Sequence, residues 1–300
     1  MGKRIMGFYG RLFSQPPCVV FGLVFVAVKI WSNVAYGGSA FNGLRSGLVG
    51  LLVYGLALGV IYLLSDKPRL ERFGISRLGK RENGVALLVM GALYLIMAAA
   101  IVDRLQRLGK MPGAPLLQVV PGWAGWYSYW ESFPFGYTWA NVLRSLPFQV
   151  LIPAALLWYL GLRRGDFAFR GGALKPALPF LIIYGAAFAA GGVSSQRLVF
   201  LLYALLYSGL QEEFFYRGVL QPLLIRTLNS PVWGMAVTTL LFTVIHLPDF
   251  IFRVYPSTAL AVSSAVSAGM FGALMSYGVY RTGMLWPWML IHGISNVVGF

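Results

Sequence analysis

Runs of about 20 mostly apolar residues recur along the chain, and they restrict its fold more than any other feature. A helix of about 20 residues crosses the hydrocarbon core of a bilayer, where every backbone polar group needs an internal partner. Hydrophobic residues make up 58% of the 300 residues and charged residues only 11%, about half the charged share of a soluble domain. Because the runs do not alternate with polar residues, the sequence predicts an all-α polytopic membrane helical bundle rather than a barrel.

The apolar runs define nine candidate spans. They cover approximately residues 17–36, 47–65, 84–103, 140–162, 176–192, 198–224, 232–250, 258–280 and 284–300. The fifth is short and the ninth ends at the last residue, so we expect eight or nine transmembrane helices. We assign residues 1–190 to N-terminal transmembrane helices without a known role, and residues 191–300 to a core that carries unusual polar residues.

The basic residues indicate the topology, with a formal net charge of +15 at pH 7. They concentrate in an N-terminal tail containing Lys3, Arg4 and Arg11 and in the connectors 66–83 and 163–175. With the spans above, these three segments lie on one side, and the positive-inside rule places that side, with the N-terminus, in the cytoplasm. The pattern favours contact with anionic headgroups over nucleic acid, as in a prokaryotic inner (plasma) membrane protein.

The long connector 104–139 is then expected on the outer side. Its aromatic residues are Trp123, Trp126, Tyr127, Tyr129, Trp130, Phe133 and Phe135. One interpretation is an interfacial aromatic belt, and the other is a lid or substrate-facing surface over a functional site. The single cysteine, Cys18, cannot form a disulfide framework or a paired-cysteine metal site, and we expect it to pack within the first span.

Charged residues interrupt the sixth span in the stretch QEEFFYRG, residues 211–218. A charged side chain at the bilayer centre costs about 2.5–3.5 kcal/mol on insertion scales, so these side chains should face the bundle interior, pair, or both. Glu213 and Arg217 are four residues apart with the acid first, which is the favourable order for an ion pair on an α-helix. Glu212 points about 100° away from Glu213 and is left free to meet water or a substrate.

The chain has only two histidines, and both lie in apolar spans. His292 shares a helical face with Asn296, four residues later, and His246 shares one with Phe242, four residues earlier. A lone intramembrane histidine can simply bridge two helices through a hydrogen bond. Because three spans of the C-terminal third carry EExxxR, FxxxH and HxxxN in order, we favour a common polar pocket.

The stretches EEFFYR (212–217), FTVIH (242–246) and HGISN (292–296) together resemble the three motifs of the CAAX-protease and bacteriocin-processing (CPBP, or Abi) family of intramembrane endopeptidases. The resemblance covers the C-terminal third of the chain. It implies that the protein hydrolyses a peptide bond in a membrane-anchored protein or peptide.

The resemblance also implies roles for individual residues. Glu212 matches the glutamate taken as the base that activates water, and His246 matches the histidine that holds the same water. His292 and Asn296 match the residues thought to stabilise the oxyanion. Supporting roles fall to Glu213, Arg217 and Phe242.

Several alternatives remain open at this point. We expect no cofactor, and the alternative is a zinc ion bound by Glu212, His246 and His292, a ligand set found in some catalytic zinc sites, although the HExxH pattern is absent. Intramembrane ionisable residues also mark proton-coupled transporters. A third reading is a non-catalytic membrane scaffold or immunity protein that keeps the fold.

Overall fold

The computed structural model describes residues 2–132, 136–169 and 171–299. Within these ranges every regular element is a helix, and the only strand-like feature is a single bridge between Phe73 and Phe167. The α-helices are α1 Gly2–Phe13, α2 Pro16–Ala35, α3 Ala40–Leu64, α4 Lys80–Arg107, α5 Trp123–Glu131, α6 Gly136–Leu146, α7 Ile152–Tyr159, α8 Leu178–Ala190, α9 Ser195–Ala204, α10 Gln221–Leu228, α11 Pro231–Asp249, α12 Thr258–Thr282 and α13 Trp286–Val298. The predicted all-α fold is confirmed.

Wider π-helical turns extend or join several of these helices. They are Pro147–Leu151, Leu205–Glu212, Phe214–Leu220 and Phe250–Val254. Three of them lie at or near a proline (Pro147, Pro222 or Pro248), which cannot donate the usual backbone hydrogen bond to the carbonyl four residues earlier. Two of the turns join α9 to α10, so one long helix, Ser195–Leu228, carries the acidic motif. We call it the motif helix.

Seven helices in the described part of the chain are long and apolar enough to cross a membrane. They are Pro16–Ala35, Ala40–Leu64, Lys80–Arg107, Trp139–Tyr159, Ser195–Leu228, Pro231–Val254 and Thr258–Thr282. The other two predicted spans form α8 and α13, which have 13 residues each. At 1.5 Å per residue each is about 20 Å long, too short to cross a core of about 30 Å alone. The described ranges thus contain seven helices of spanning length, in a multi-pass integral membrane protein, and the expectation of eight or nine spans stays a prediction.

The three basic segments lie together at one end of the bundle, as predicted. The Arg4 guanidinium donates to the backbone carbonyl of Ser65 at 3.1 Å, which joins α1 to the start of the first basic connector. Arg77 in that connector forms an ion pair with Asp166 in the second. We call this end, formed by α1 and the segments 65–79, 160–169 and 171–177, the basic face. The opposite face is formed by the connectors 36–39, 108–122 and 255–257.

The N-terminal helices and the C-terminal core share one apolar interior. Ile61 of α3, Met90 of α4 and Leu157 of α7 belong to the same buried cluster as Phe215 of the motif helix and Trp288 of α13. The two parts therefore pack as one bundle. The division at residue 190 remains an interpretation of the sequence.

Candidate active site

The motif helix and α13 pack very close together, and a glycine makes this approach possible. A Cβ atom on Gly293 would lie 2.6 Å from Cδ2 of Leu205 and 2.9 Å from its Cα, well inside the normal separation of carbon atoms. His292 precedes Gly293 directly. The close approach therefore brings the imidazole of His292 to the acidic residues of the motif helix.

The predicted ion pair on the motif helix is present and fully buried. Nη1 of Arg217 donates to Oε1 of Glu213 at 2.9 Å, and neither side chain is exposed. Nη2 of Arg217 donates to the carbonyl of Gly272 on α12 at 3.0 Å. The guanidinium carbon also lies 4.4 Å from the ring centroid of Phe242, within cation–π range. These contacts hold a charge that would be very costly alone in the interior.

His292 lies between the two glutamates of the motif helix. Its Nδ1 is 2.7 Å from Oε1 of Glu213, and because a carboxylate accepts, Nδ1 is the donor. Its Nε2 is 3.8 Å from Oε2 of Glu212, which is beyond hydrogen-bonding distance. Arg217, Glu213 and His292 therefore form a connected buried chain that ends next to Glu212. The sequence pattern missed this link because it joins two helices.

Asn296 is the predicted site residue that the structure does not bring to the others. Its side chain is exposed, and it does not line the cavity that contains Glu212. The physical reason is its place in the last turn of α13, where the helix leaves the bundle interior before it ends at Val298. The role of Asn296 at an oxyanion stays a prediction.

His246 and Phe242 lie on one face of α11, as predicted. Nδ1 of His246 is 2.6 Å from the carbonyl oxygen of Phe242. Because a carbonyl only accepts, Nδ1 carries the proton, and Nε2 is left as the acceptor. The ring of Phe242 lies 4.6 Å from the His246 ring and 6.0 Å from the His292 ring, centroid to centroid. Phe242 therefore packs against both imidazoles and against the Arg217 guanidinium.

Glu212 and His246 line one cavity of about 230 Å³. Glu212 is 8% exposed, and its carboxylate makes no hydrogen bond within the described ranges. From the sequence limits, Glu212 and His246 lie at different depths. The motif helix runs from Ser195 to Leu228 with Glu212 near its middle, as in the predicted span, and the side chains of Glu212 and His246 nevertheless line the same cavity. The contrast between a free Glu212 and a paired Glu213 agrees with the sequence prediction.

The cavity extends from the middle of the bundle toward the opposite face. Its lining includes Arg104 and Asp249, close to the ends of α4 and α11, and Trp123 at the start of α5. Arg253 also lines it, and the side chain of this residue is 39% exposed. The cavity therefore reaches the surface at the end of the bundle away from the N-terminus and the basic connectors.

Helices of the N-terminal part form much of the cavity, which the sequence did not reveal. Ile96, Met97 and Phe148 belong to its wall. Next to Glu212, the side chain of Gln211 accepts a hydrogen bond from Ser145 at 2.5 Å and donates to the carbonyl of Val142 at 2.8 Å. The first 190 residues therefore position the motif helix and supply a wall of the site. No local motif announces these residues, because their role depends on packing between distant segments.

The aromatic connector contributes at least one residue to this cavity. Trp123 lines it, and its indole Nε1 donates to Asp103 at 3.0 Å. Trp123 therefore faces this cavity, and the substrate-facing role of the connector stays a prediction. Phe133 and Phe135 lie outside the described residues, and the side chains of Tyr127 and Trp130 are likewise not described.

The arrangement of the possible ligands bears on the zinc alternative. Carboxylate and imidazole are suitable zinc donors. In the described ranges, however, no group of three or more His, Cys, Asp or Glu side chains is arranged to hold a metal ion. Glu212, His246 and His292 thus do not form a ready ligand set, and no step below uses a metal.

Comparison with known families identifies the part of the chain that contains this site. Residues 194–298 match the family model described as type II CAAX prenyl endopeptidase Rce1-like. The matched range begins at the residue that caps α9 and ends at the last residue of α13, so it includes every site residue predicted from the sequence. No curated protein and no solved structure matches the chain significantly. The C-terminal third of this chain is therefore a domain of the Rce1-like family of type II CAAX prenyl endopeptidases.

Proposed function

We propose that the protein is a glutamate-type intramembrane endopeptidase that hydrolyses a peptide bond in a membrane-anchored protein or peptide. The family match supports an intramembrane protease. The assignment of roles to residues rests on the different contacts that two adjacent acids make. Glu213 is locked to Arg217 and His292, whereas Glu212 faces a cavity together with His246.

In this proposal Glu212 acts as the general base. It takes a proton from a water molecule that also donates a hydrogen bond to Nε2 of His246, and the resulting hydroxide attacks the carbonyl carbon of the scissile peptide bond. The carbon–nitrogen bond of the tetrahedral intermediate then breaks, and the proton on Glu212 passes to the leaving amine. The products are a carboxylic acid and an amine, and the acid then gives its proton to the amine, which leaves a carboxylate and an ammonium group, so the atoms and protons balance.

We propose that His292 and Asn296 stabilise the oxyanion, because they match the residues of the third family motif. The position of His292 beside Glu212 supports its part in this role. Since Nδ1 is already bound to Glu213, His292 donates to an oxyanion through Nε2 only when both ring nitrogens carry protons. Donors of this kind contribute about 10²–10³ in rate, so loss of Asn296 should weaken the activity without abolishing it.

We also propose an orientation for the chain. The concentration of Lys and Arg at the basic face supports a cytoplasmic position for that face and for the N-terminus in a prokaryotic cell. Anionic headgroups of the inner leaflet would lie against it. Because the cavity reaches the opposite face, the substrate is then a membrane-anchored protein or peptide presented from the outer side of the plasma membrane.

The test is a comparison of protein C-termini in membranes of cells that express Glu212→Gln, the wild type, or the control Glu71→Gln. Glu71 is an exposed acid in the first basic connector. A general base contributes about 10²–10⁴ in rate, so we expect a set of processed C-termini to disappear in Glu212→Gln and to persist in the other two. Equal membrane levels of the three proteins are the control for insertion. Unchanged C-termini in Glu212→Gln would overturn the assignment and favour a non-catalytic scaffold.

A further inference from the structure

Three arginines from two helices converge on the last turn of α3 at the basic face. Arg4 and Arg11 belong to α1, and Arg281 is the penultimate residue of α12. The guanidinium carbons of Arg4 and Arg281 lie 5.2 Å and 5.1 Å from the ring centroid of Tyr62. Nη2 of Arg11 donates to the Tyr62 hydroxyl at 3.2 Å. We call these three residues the arginine cluster, and none of them lines the cavity that contains Glu212.

Packing of α1 against α3 fixes the positions of two members of the cluster. The ring of Phe8 stacks on the ring of Tyr62, with the centroids 4.6 Å apart and an interplanar angle of 17°. The hydroxyl of Tyr9 donates to the carbonyl of Gly55 at 2.9 Å. A Cβ atom on Gly59 would lie 2.5 Å from that hydroxyl oxygen, so the close approach requires a residue without a side chain. The helix α1 is therefore firmly packed, and its two arginines are held at the end of α3.

The polar partner of the cluster is a neutral residue. The carbonyl of Ser65, directly after α3, accepts from Nη2 of Arg4 at 3.1 Å and from Nη2 of Arg281 at 3.1 Å. The Ser65 hydroxyl accepts from Nε of Arg281 at 2.7 Å. Every ion pair among the described residues involves other cations. Within those ranges, no carboxylate compensates the charge of the cluster.

The nearby groups are too weakly negative to neutralise three guanidinium groups. The carboxyl end of α3 carries only about half a negative elementary charge through the helix dipole. In residues 65–79, four cations outnumber the two acids, Asp66 and Glu71, which are both exposed. Arg281 is only 7% exposed, so water solvates its charge poorly. A bound anion would supply the missing negative charge.

Phosphate is an anion that suits this arrangement, and the position of the cluster favours a lipid as its source. Guanidinium groups bind phosphate oxygens through charge-assisted, often paired, hydrogen bonds. The cluster lies where the spanning helices α3 and α12 end, which is the level of the headgroups. On α1 itself, Met6 and Phe13 are 68% and 70% exposed. Such side chains on a surface helix enter the boundary between headgroups and acyl chains, where a lipid would pack on them and a soluble anion would not.

We propose that Arg4, Arg11 and Arg281 form a binding site for the phosphate of one anionic phospholipid. The headgroup links α1 to the end of α12, and the acyl chains lie beside the exposed apolar side chains of α1. This site differs from the general attraction of a basic surface for an anionic leaflet, which depends on the number of charges and not on their arrangement. The inference is independent of the proposed protease function, because it concerns the other end of the bundle.

The test counts phospholipids bound to delipidated protein by native mass spectrometry. Phosphatidylglycerol or phosphatidylcholine is titrated into neutral detergent micelles, and the apparent dissociation constants of the first bound lipid are compared. We expect phosphatidylglycerol to bind at least about tenfold more tightly, because the choline cation offsets the phosphate charge. Loss of a charge-assisted hydrogen bond in Arg4→Gln, Arg11→Gln or Arg281→Gln should weaken its binding by at least about tenfold. The matched control is Lys3→Gln, an exposed cation on α1 outside the cluster, which should change the affinity less than about threefold.

Each outcome decides the proposal. Equal binding of the two lipids, or no phosphatidylglycerol bound to the wild type, overturns it. So does unchanged affinity in both Arg4→Gln and Arg11→Gln. An equal loss in Lys3→Gln would mean that overall charge attracts the lipid, and the defined site would then be wrong. If inorganic phosphate displaces phosphatidylglycerol at an equal total concentration, the site takes a soluble anion and the lipid assignment fails. Should Arg281→Gln fail to fold, the two exposed arginines of α1 still decide.

Discussion

Replacing Arg217 by glutamine tests the buried side-chain network of Arg217, Glu213 and His292 next to the proposed base, Glu212. Arg217 is fully buried, and its guanidinium contacts Glu213, the carbonyl of Gly272 and the ring of Phe242. Removing one partner of a buried ion pair costs about 3–5 kcal/mol, because the remaining charge has no compensation. We therefore expect Arg217→Gln to lower the free energy of unfolding by about that amount.

The control is Arg226→Gln on the same motif helix. Arg226 is half-buried, and its guanidinium donates to the carbonyl of Ser76 at 2.5 Å. Loss of one such hydrogen bond costs about 0.5–1.5 kcal/mol, or up to about 3 kcal/mol because the donor is charged. Unfolding of both variants is followed by circular dichroism during titration with sodium dodecyl sulfate in mixed micelles.

A double variant separates the lost ion pair from lost packing. In Arg217→Gln/Glu213→Gln no buried charge is left uncompensated, so the double variant should be more stable than Arg217→Gln alone. The coupling between the two sites should lie in the range of about 0.5–3 kcal/mol that contacting residues show. The reasoning is refuted if Arg217→Gln is no less stable than Arg226→Gln, or if the two single effects simply add.

Further predictions concern packing, orientation and metal. Gly272→Ala should destabilise the protein by about 1–3 kcal/mol in the same unfolding titration, because the new Cβ would lie 2.7 Å from Nη2 of Arg217. The control is Gly84→Ala, which should be neutral or stabilising, because a Cβ there lies on an exposed helix surface with no atom within 4 Å. With Cys18→Ser as a cysteine-free background, Arg253→Cys should react with a membrane-impermeant maleimide in intact cells, and Lys67→Cys should react only after lysis; the reverse pattern would contradict the proposed orientation. Purified protein should contain less than one zinc per chain and keep its activity in a chelator, and stoichiometric zinc together with chelator-sensitive activity would replace the glutamate-type mechanism by a metal-dependent one.

Local patterns predicted the parts of this protein that depend on neighbouring residues in the chain. The lengths of the apolar runs predicted the helices, because a bilayer requires about 20 residues per span. The four-residue spacing predicted the pair between Glu213 and Arg217, because that contact is made within one helix. The predicted separation of Glu212 from Glu213 rests on the same local geometry. The paired basic connectors at one end followed from counting alternate spans.

Contacts between helices could be predicted less completely than contacts within one helix. The shared helical face of His292 and Asn296 could be predicted, but the contact of His292 with Glu213 could not, because it depends on packing of Gly293 against Leu205. The short helices α8 and α13 were counted as candidate spans because composition does not report where a helix ends. Two interpretations of Trp123, in an interfacial belt or over the site, were left open, because the neighbouring sequence does not show which surface the side chain faces.

The sequence by itself determined that this chain is a multi-pass helical membrane protein with a costly set of acids and histidines in its C-terminal third, since apolar length and charge are properties of the residues themselves. Only the tertiary structure decided that Glu212 shares a cavity with His246, that Arg104, Arg144 and Arg253 line the same cavity, and that it reaches the opposite face. These features arise where helices distant in the chain pack together, and the positions of such contacts follow from the shape of the whole bundle rather than from any local pattern.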